Sequence, residues 1–185
     1  MPKTHGFTLI EALITITILC IITLFAHANL SAWLKTQNAK RVTSELIHIV
    51  HASRAYAITG RRPFTLCGSS NGLNCDNQWA IGALFFEDAN RNGIIDNNDQ
   101  IIRYTPLNTK TTLQWKGFGG QRLVFESTGL TSASNGTFTY CEFNKDPLYS
   151  RQVIVSRGGR ARLSPDKNND GIYEDINGNI ITCPN

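Results

Sequence analysis

The chain has 185 residues, 41% of them hydrophobic and 17% charged, with a formal net charge of +4. That suits one folded domain with an appendage. It excludes a disordered chain and leaves the charge too mild to name a partner by itself. No persuasive Ser/His/Asp or Cys/His constellation and no Gly-rich phosphate loop is present, so the chain does not read as an enzyme.

The first element is an apolar run from Phe7 to Ala28, broken only by Glu11 and His27. About 20 apolar residues span a bilayer as a helix, so residues 7–30 are expected to form a transmembrane segment. Lys3 and His5 before it place the short N-terminus on the cytoplasmic side. A cleaved secretory signal fits less well, because the run is too long and Ala26-His27-Ala28 is the nearest approach to its cleavage pattern.

Glu11 stands out, since a carboxylate near the start of a membrane helix needs a partner or a role. Its setting, Gly6-Phe7-Thr8-Leu9-Ile10-Glu11, resembles the prepilin motif of type IV pilins and type II secretion pseudopilins. The resemblance implies a leader at residues 1–6, cut after Gly6 by a prepilin peptidase that then N-methylates Phe7. It also implies that Glu11 pairs with a neighbouring subunit's N-terminal amine during assembly, an ion pair that offsets the burial of both charges. Many pilins carry a proline further along this helix. Here Ala28 stands in its place, which removes the usual cause of a kink.

The helix should run on, since Ser31 to Ile58 contains no proline or glycine and Gly60 stops it. Val42, Leu46, Ile49, Val50, Ser53 and Tyr56 recur at spacings of three and four and predict the face that packs on a sheet. Lys35, Lys40, Arg41, Glu45 and Arg54 fall on the polar face. His48 and His51 are three apart, but no further metal ligand is apparent near them, so they read as a solvated or half-packed face.

Beyond Gly60 short β-type runs are predicted near Phe64–Cys67, Gln78–Phe86, Gln100–Tyr104, Thr112–Lys116, Arg122–Glu126, Gly136–Phe143, Gln152–Ser156 and Arg160–Leu163. Turn pairs such as Asn71-Gly72, Asn92-Gly93 and Gly158-Gly159 separate several of them. The fold class is therefore α+β: a long N-terminal transmembrane-plus-amphipathic helix packed on an antiparallel β-sheet domain spanning residues 31–185. Ser53-Arg54-Ala55-Tyr56-Ala57-Ile58, Arg62 to Cys67, Trp79 to Asp88, Phe125 with Gly129, and Gly158 to Arg162 resemble, in the same order, the GspH/FimT branch of pilin-like proteins. This branch includes a type II secretion pseudopilin and minor pilins of type IV pili.

Cys20 lies in the apolar run, whereas Cys67, Cys75, Cys141 and Cys183 lie in the polar remainder. The even count suggests two disulfides and an oxidising compartment, with four buried thiols as the other reading. Cys67 and Cys75 flank a turn and can close a small loop. A Cys141–Cys183 bond would tie down the C-terminal tail.

Two Asx-rich segments match the spacing of a calcium loop. The first offers Asp88, Asn90, Asn92, Asp96 and Asp99 around Gly93. Aspartate stands where glutamate is usual, and strands rather than helices are expected on either side. The second runs from Asp166 and ends on Asn177. A hairpin loop without an ion is the plain alternative for both.

Arg151, Arg157, Arg160, Arg162 and Lys167 form a basic stretch with one acid, Asp166. Arg160 and Arg162 alternate on a predicted strand and so share a face, about 6–7 Å apart, which suits successive phosphates. Gly159-Arg160-Ala161-Arg162 resembles the motif of FimT-type minor pilins that bind DNA in natural transformation. A solvated basic edge strand is the plain reading. The resemblance implies a minor pilin, single-pass in the inner membrane with its domain in the periplasm until it joins a pilus. Its partners would be other pilin subunits, membrane lipid, the peptidase and the backbone of double-stranded DNA. The alternative it implies is a GspH-like minor pseudopilin that acts in type II secretion.

Overall fold

The computed structural model describes residues 6–131 and 133–184, apart from the side chains of residues 24–29. The leader expected at residues 1–6, save Gly6, and the side chains of His27 and Ala28 lie outside the described residues. Helix α1 spans Leu9–Gly60. The chain divides into two compact units, Met1–Gln37 and Asn38–Asn185.

In the first unit Thr8 caps the helix. Its Oγ1 accepts the amide of Glu11 at 3.3 Å, one half of a capping box whose acidic member sits in the first turn, where the helix dipole favours negative charge. The hydroxyls of Thr15, Thr17 and Thr23 donate to carbonyls three or four residues back, at 2.8–3.1 Å. These threonines therefore need no water or neighbour to satisfy them. Apolar side chains stay exposed, Leu9 at 82% and Leu19 at 61%. Among the described residues no helix is long and apolar enough to cross a membrane. The expected span continues through residues whose side chains are not described.

The second unit begins on the same helix and adds two antiparallel sheets. Strands β1 (Phe64–Gly68), β2 (Gly82–Glu87), β3 (Gln100–Pro106) and β5 (Arg122–Phe125) form one sheet in the order β3-β2-β1-β5. Strands β4 (Thr112–Gly117), β6 (Gly136–Cys141), β7 (Arg151–Val155) and β8 (Ala161–Leu163) form the other in the order β4-β6-β7-β8. A single-turn 3-10 helix, Pro147–Tyr149, precedes β7.

Ala39, Val42, Leu46, Val50 and Ala57 join residues of both sheets in one core cluster. Trp79 and Trp115 pack on Phe138 with ring centroids 4.8 and 4.5 Å apart. Tyr56, predicted for the buried stripe, is instead 48% exposed and leans on Phe85 at 5.7 Å. The small Ala57 takes the buried position instead. Strands β1 and β2 are buried almost throughout rather than alternating, because Cys67, Leu84 and Phe86 form a second small cluster with Cys75, Ile95 and Tyr104. Both faces of the sheet are therefore covered.

Gln78–Ile81, predicted as strand, is a turn in which the amides of Ile81 and Gly82 bond the Gln78 carbonyl at 3.0 and 3.2 Å. This turn delivers Trp79 to the core. Two disulfides join Cys67 to Cys75 and Cys141 to Cys183, with Cα separations of 5.6 and 5.9 Å. Cys20 is free and exposed.

Candidate functional site

The basic stretch folds around the β7–β8 turn. The amide of Gly159 donates to Ser156 O at 2.9 Å, and the amide of Ser156 donates to Arg160 O at 3.0 Å. Gly159 has φ +70°, and a Cβ there would lie 2.3 Å from Gly129 O. Glycine is thus required both for its conformation and for its close approach. Arg54 fixes the turn from the helix side: its Nε donates to Gly158 O at 3.0 Å and to Gly129 O at 3.2 Å. Arg54, expected on the polar face, is half-buried and lines a groove, its Nε committed to two loop carbonyls.

Strand β8 pairs only with β7, so it is a sheet edge. His51 Nε2 accepts the amide of Ala161 at 3.2 Å, using a donor that an edge strand would leave to solvent. Ala161 is buried, while Arg160 and Arg162 on either side of it are exposed. The alternation places both guanidiniums on the outer face. His51, Arg54, Arg160, Ala161 and Arg162 line an open groove of about 430 Å³, and no acidic residue lines it. Arg157 in the turn and Lys167 beyond β8 are also exposed.

Arg151 does not belong to this surface. It is 5% exposed and starts β7 in register with the core residues Val153 and Val155, so its side chain points inward. Its Nη1 donates to Leu148 O and Ser150 O, both at 2.8 Å. Its guanidinium lies 3.8 Å from the centre of the Tyr173 ring. Burial holds its pKa below the ordinary arginine value, with Tyr173 opposing that shift. The expectation that Arg151 belongs to the DNA-binding basic stretch is therefore corrected. Conversely, Arg54 and His51 were not legible in the sequence as groove residues. The only signal was that Ser53–Ile58 recurs in the resemblance, which gives a segment without a role.

At the other end of the chain, Gly6, Phe7 and Thr8 precede the helix without regular structure, and Phe7 is 84% exposed. Glu11 is exposed in the first turn.

The segment with Asp88, Asn90, Asn92, Asp96 and Asp99 connects β2 to β3. Among the described residues no group of three or more His, Cys, Asp or Glu is gathered to hold a metal ion. His48 is exposed on the helix, and His51 lines the groove.

Residues 42–159, more than half of the chain, match the family model described as type II transport protein GspH. Residues 1–26 match the prokaryotic N-terminal methylation motif. No curated protein matches the chain. Among solved structures it is similar to the type IV minor pilin FimU of Pseudomonas aeruginosa in two crystal forms. The first gives 19% identity over 70% of this chain and 90% of that one, with TM-score 0.54. The second gives 20% identity over 68% and 92%, with TM-score 0.52. It is also similar to the minor pseudopilin EpsH of the Vibrio cholerae type 2 secretion system, at 16% identity over 71% and 99%, with TM-score 0.50. At these identities the likeness establishes the fold, whereas the family model covers the sequence itself. The chain therefore belongs to the GspH family, as a pilin-like protein bearing the N-terminal methylation motif.

Proposed function

We propose that this chain is a minor pilin of a type IV pilus that binds the DNA backbone through the Arg160–Arg162 groove. The observation that carries the reading is the exposed arginine pair at an edge strand, Arg160 just before it and Arg162 within it, beside Arg54 and His51, with no acid in the lining. Exposed arginines spaced along a strand suit phosphates. Among the described residues no element is a base-reading module, so binding is electrostatic and indifferent to sequence. Processing after Gly6, N-methylation of Phe7 and pairing of Glu11 with a neighbour's amine account for the N-terminal motif. On this reading residues 7–30 hold the precursor in the inner membrane, and the disulfide-bonded domain lies in the periplasm, where such bonds persist.

The test is duplex DNA binding by the purified protein. Arg160→Gln with Arg162→Gln should abolish most binding while the fold persists, since exposed positions tolerate such changes. In cells the double variant should still make pili and take up DNA poorly. A double variant that binds DNA as tightly as the parent at moderate salt contradicts the reading. A second reading, a minor pseudopilin acting in type II secretion, is favoured by the description of the matching family. It predicts that deletion of the gene stops secretion and leaves DNA uptake intact.

A further inference from the structure

We infer that the outer face of the sheet β4-β6-β7-β8, at the end that carries the β7–β8 turn, is a platform for single-stranded DNA. Phe118 stacks on an unpaired base there, and Lys116 holds a further phosphate. The inference rests on the DNA reading and adds to it a second contact region and the form of DNA that uses it.

The strand registers define the surface. Trp115 of β4, Phe138 of β6, Val153 and Val155 of β7 and Ala161 of β8 all belong to the core cluster. Side chains alternate across a strand, so the residues between them face outward. Lys116 pairs with Thr137, Thr137 with Ile154, and Ile154 with Arg162. These four form one row across the whole sheet, with an exposed cation at each flank.

The ladder continues for one more row. The Phe118 amide donates to Asn135 O at 3.1 Å, and the Ser156 amide donates to Arg160 O at 3.0 Å. Phe118, Asn135, Ser156 and Arg160 each lie two residues beyond a member of the first row, so they extend the same face. Lys116 and Phe118 therefore stand along one flank, and Arg162 and Arg160 along the other. Neighbouring strands lie about 4.8 Å apart, so each row spans about 14 Å, and successive rows are about 7 Å apart. Neither row contains an acid. The row behind them, Gln114 with Thr139 and Gln152, is uncharged as well.

Phe118 is 86% exposed. It sits at the tip of the β4–β5 hairpin, which Gly117 and Gly120 close as a bridge. The tip is pinned rather than loose. A Cβ on Gly119 would lie 2.6 Å from Ser134 Cβ, and one on Gly136 would run into the Lys116 carbonyl. The backbone thus packs so closely that only glycine fits, and the ring is held out from a tight turn.

The surround of the ring selects its occupant. A protein partner would call for an apolar patch about it. The neighbours of Phe118 in the chain are glycines, Lys116 and Gln121, and its row leads to Arg160. An exposed ring beside phosphate-binding cations suits a nucleobase, because every base has a π-face and such stacking tolerates any sequence. In a duplex the bases already stack on one another, so only an unpaired stretch can use the ring. The strand then runs from the Arg160–Arg162 groove across Ser156 and Asn135 to Phe118 and Lys116.

The test is equilibrium binding of the full chain in detergent to a thymidine oligonucleotide of about 16 nucleotides, the upper site size of single-strand folds, and to the same oligonucleotide paired with its complement. Phe118→Ala should weaken single-strand binding at least about fivefold and leave duplex binding unchanged. It should also leave the salt slope as in the parent, because no charge is lost. Phe118→Trp should restore the affinity, and Phe118→Leu should not. Lys116→Gln should flatten the single-strand slope by about 0.7 unit. Both positions are exposed, so all these variants should melt like the parent. A Phe118→Ala protein that binds the single strand as the parent does, while Arg160→Gln with Arg162→Gln loses it, overturns this inference and leaves the DNA reading standing. Equal losses on single strand and duplex overturn it too. A parent that binds neither form of DNA overturns both.

Discussion

The two units of this chain treat the same kind of side chain in opposite ways. In Asn38–Asn185 the apolar residues of the helix are sealed, with Leu46 at 1% and Val50 at 0% exposure. In the N-terminal unit Leu9, Ile10, Leu13 and Leu19 are all more than half exposed. One continuous helix carries both patterns. The difference is periodicity: after Asn38 the apolar residues occupy one stripe, whereas before it they surround the helix. A stripe can be satisfied by the chain's own sheets. An all-round apolar surface calls for lipid or other helices, and the threonine hydroxyls bonded within the first unit suit such a medium.

That contrast can be broken most directly by truncating one leucine on each side of it. Leu46→Ala should cost about 2–5 kcal/mol in the unfolding of the second unit. Leu19→Ala should change that transition by less than about 0.5 kcal/mol. Urea melts of both variants in detergent decide it, and similar losses would mean that the first unit is packed into the same cooperative core. Next in size is the tail. Cys141→Ser with Cys183→Ser should cost about 2–4 kcal/mol, because the bond closes a separation of 42 residues and holds the buried Ile181. The same melts measure it, and an unchanged midpoint would contradict it.

The smallest expected effect is acid sensitivity in the Cys67–Cys75 loop. Burial pushes the Asp76 pKa up, but bonds from Ser70 and from the amides of Gln78 and Ser70 outweigh it and hold it below the usual carboxylate value. A depressed pKa contributes stability above the unfolded value, about 3.9, and loses it as pH falls through the folded one. The gap in melting temperature between the parent and Asp76→Asn should therefore narrow below about pH 4. A gap that stays constant down to pH 2 would show that the charge contributes nothing.

Much of this was legible in the sequence because it is local. The strand at Phe64, the strand starting at Gln100 and the turn at Gly158-Gly159 follow from short β-type runs and the turn residues between them. So does the outward pairing of Arg160 with Arg162. What escaped depends on contacts far along the chain. Arg54 reads as a polar-face residue because nothing local reveals that Gly129 and Gly158 lie within reach of its Nε. Arg151 reads as one more surface cation, although the alternation of Val153 and Val155 already pointed it inward. Tyr173, the nearby Asp166 and the carbonyls of Leu148 and Ser150 make that burial tolerable, and the sequence does not bring them together.

The groove at β8 remains the centre of the account, and the salt dependence of DNA affinity tests it most directly. Each phosphate contact adds roughly one unit to the slope of log affinity against log salt. The parent should lose affinity steeply with salt, and Arg160→Gln with Arg162→Gln should flatten the slope by about two units. An unchanged slope in the double variant would contradict the assignment of DNA binding to this strand.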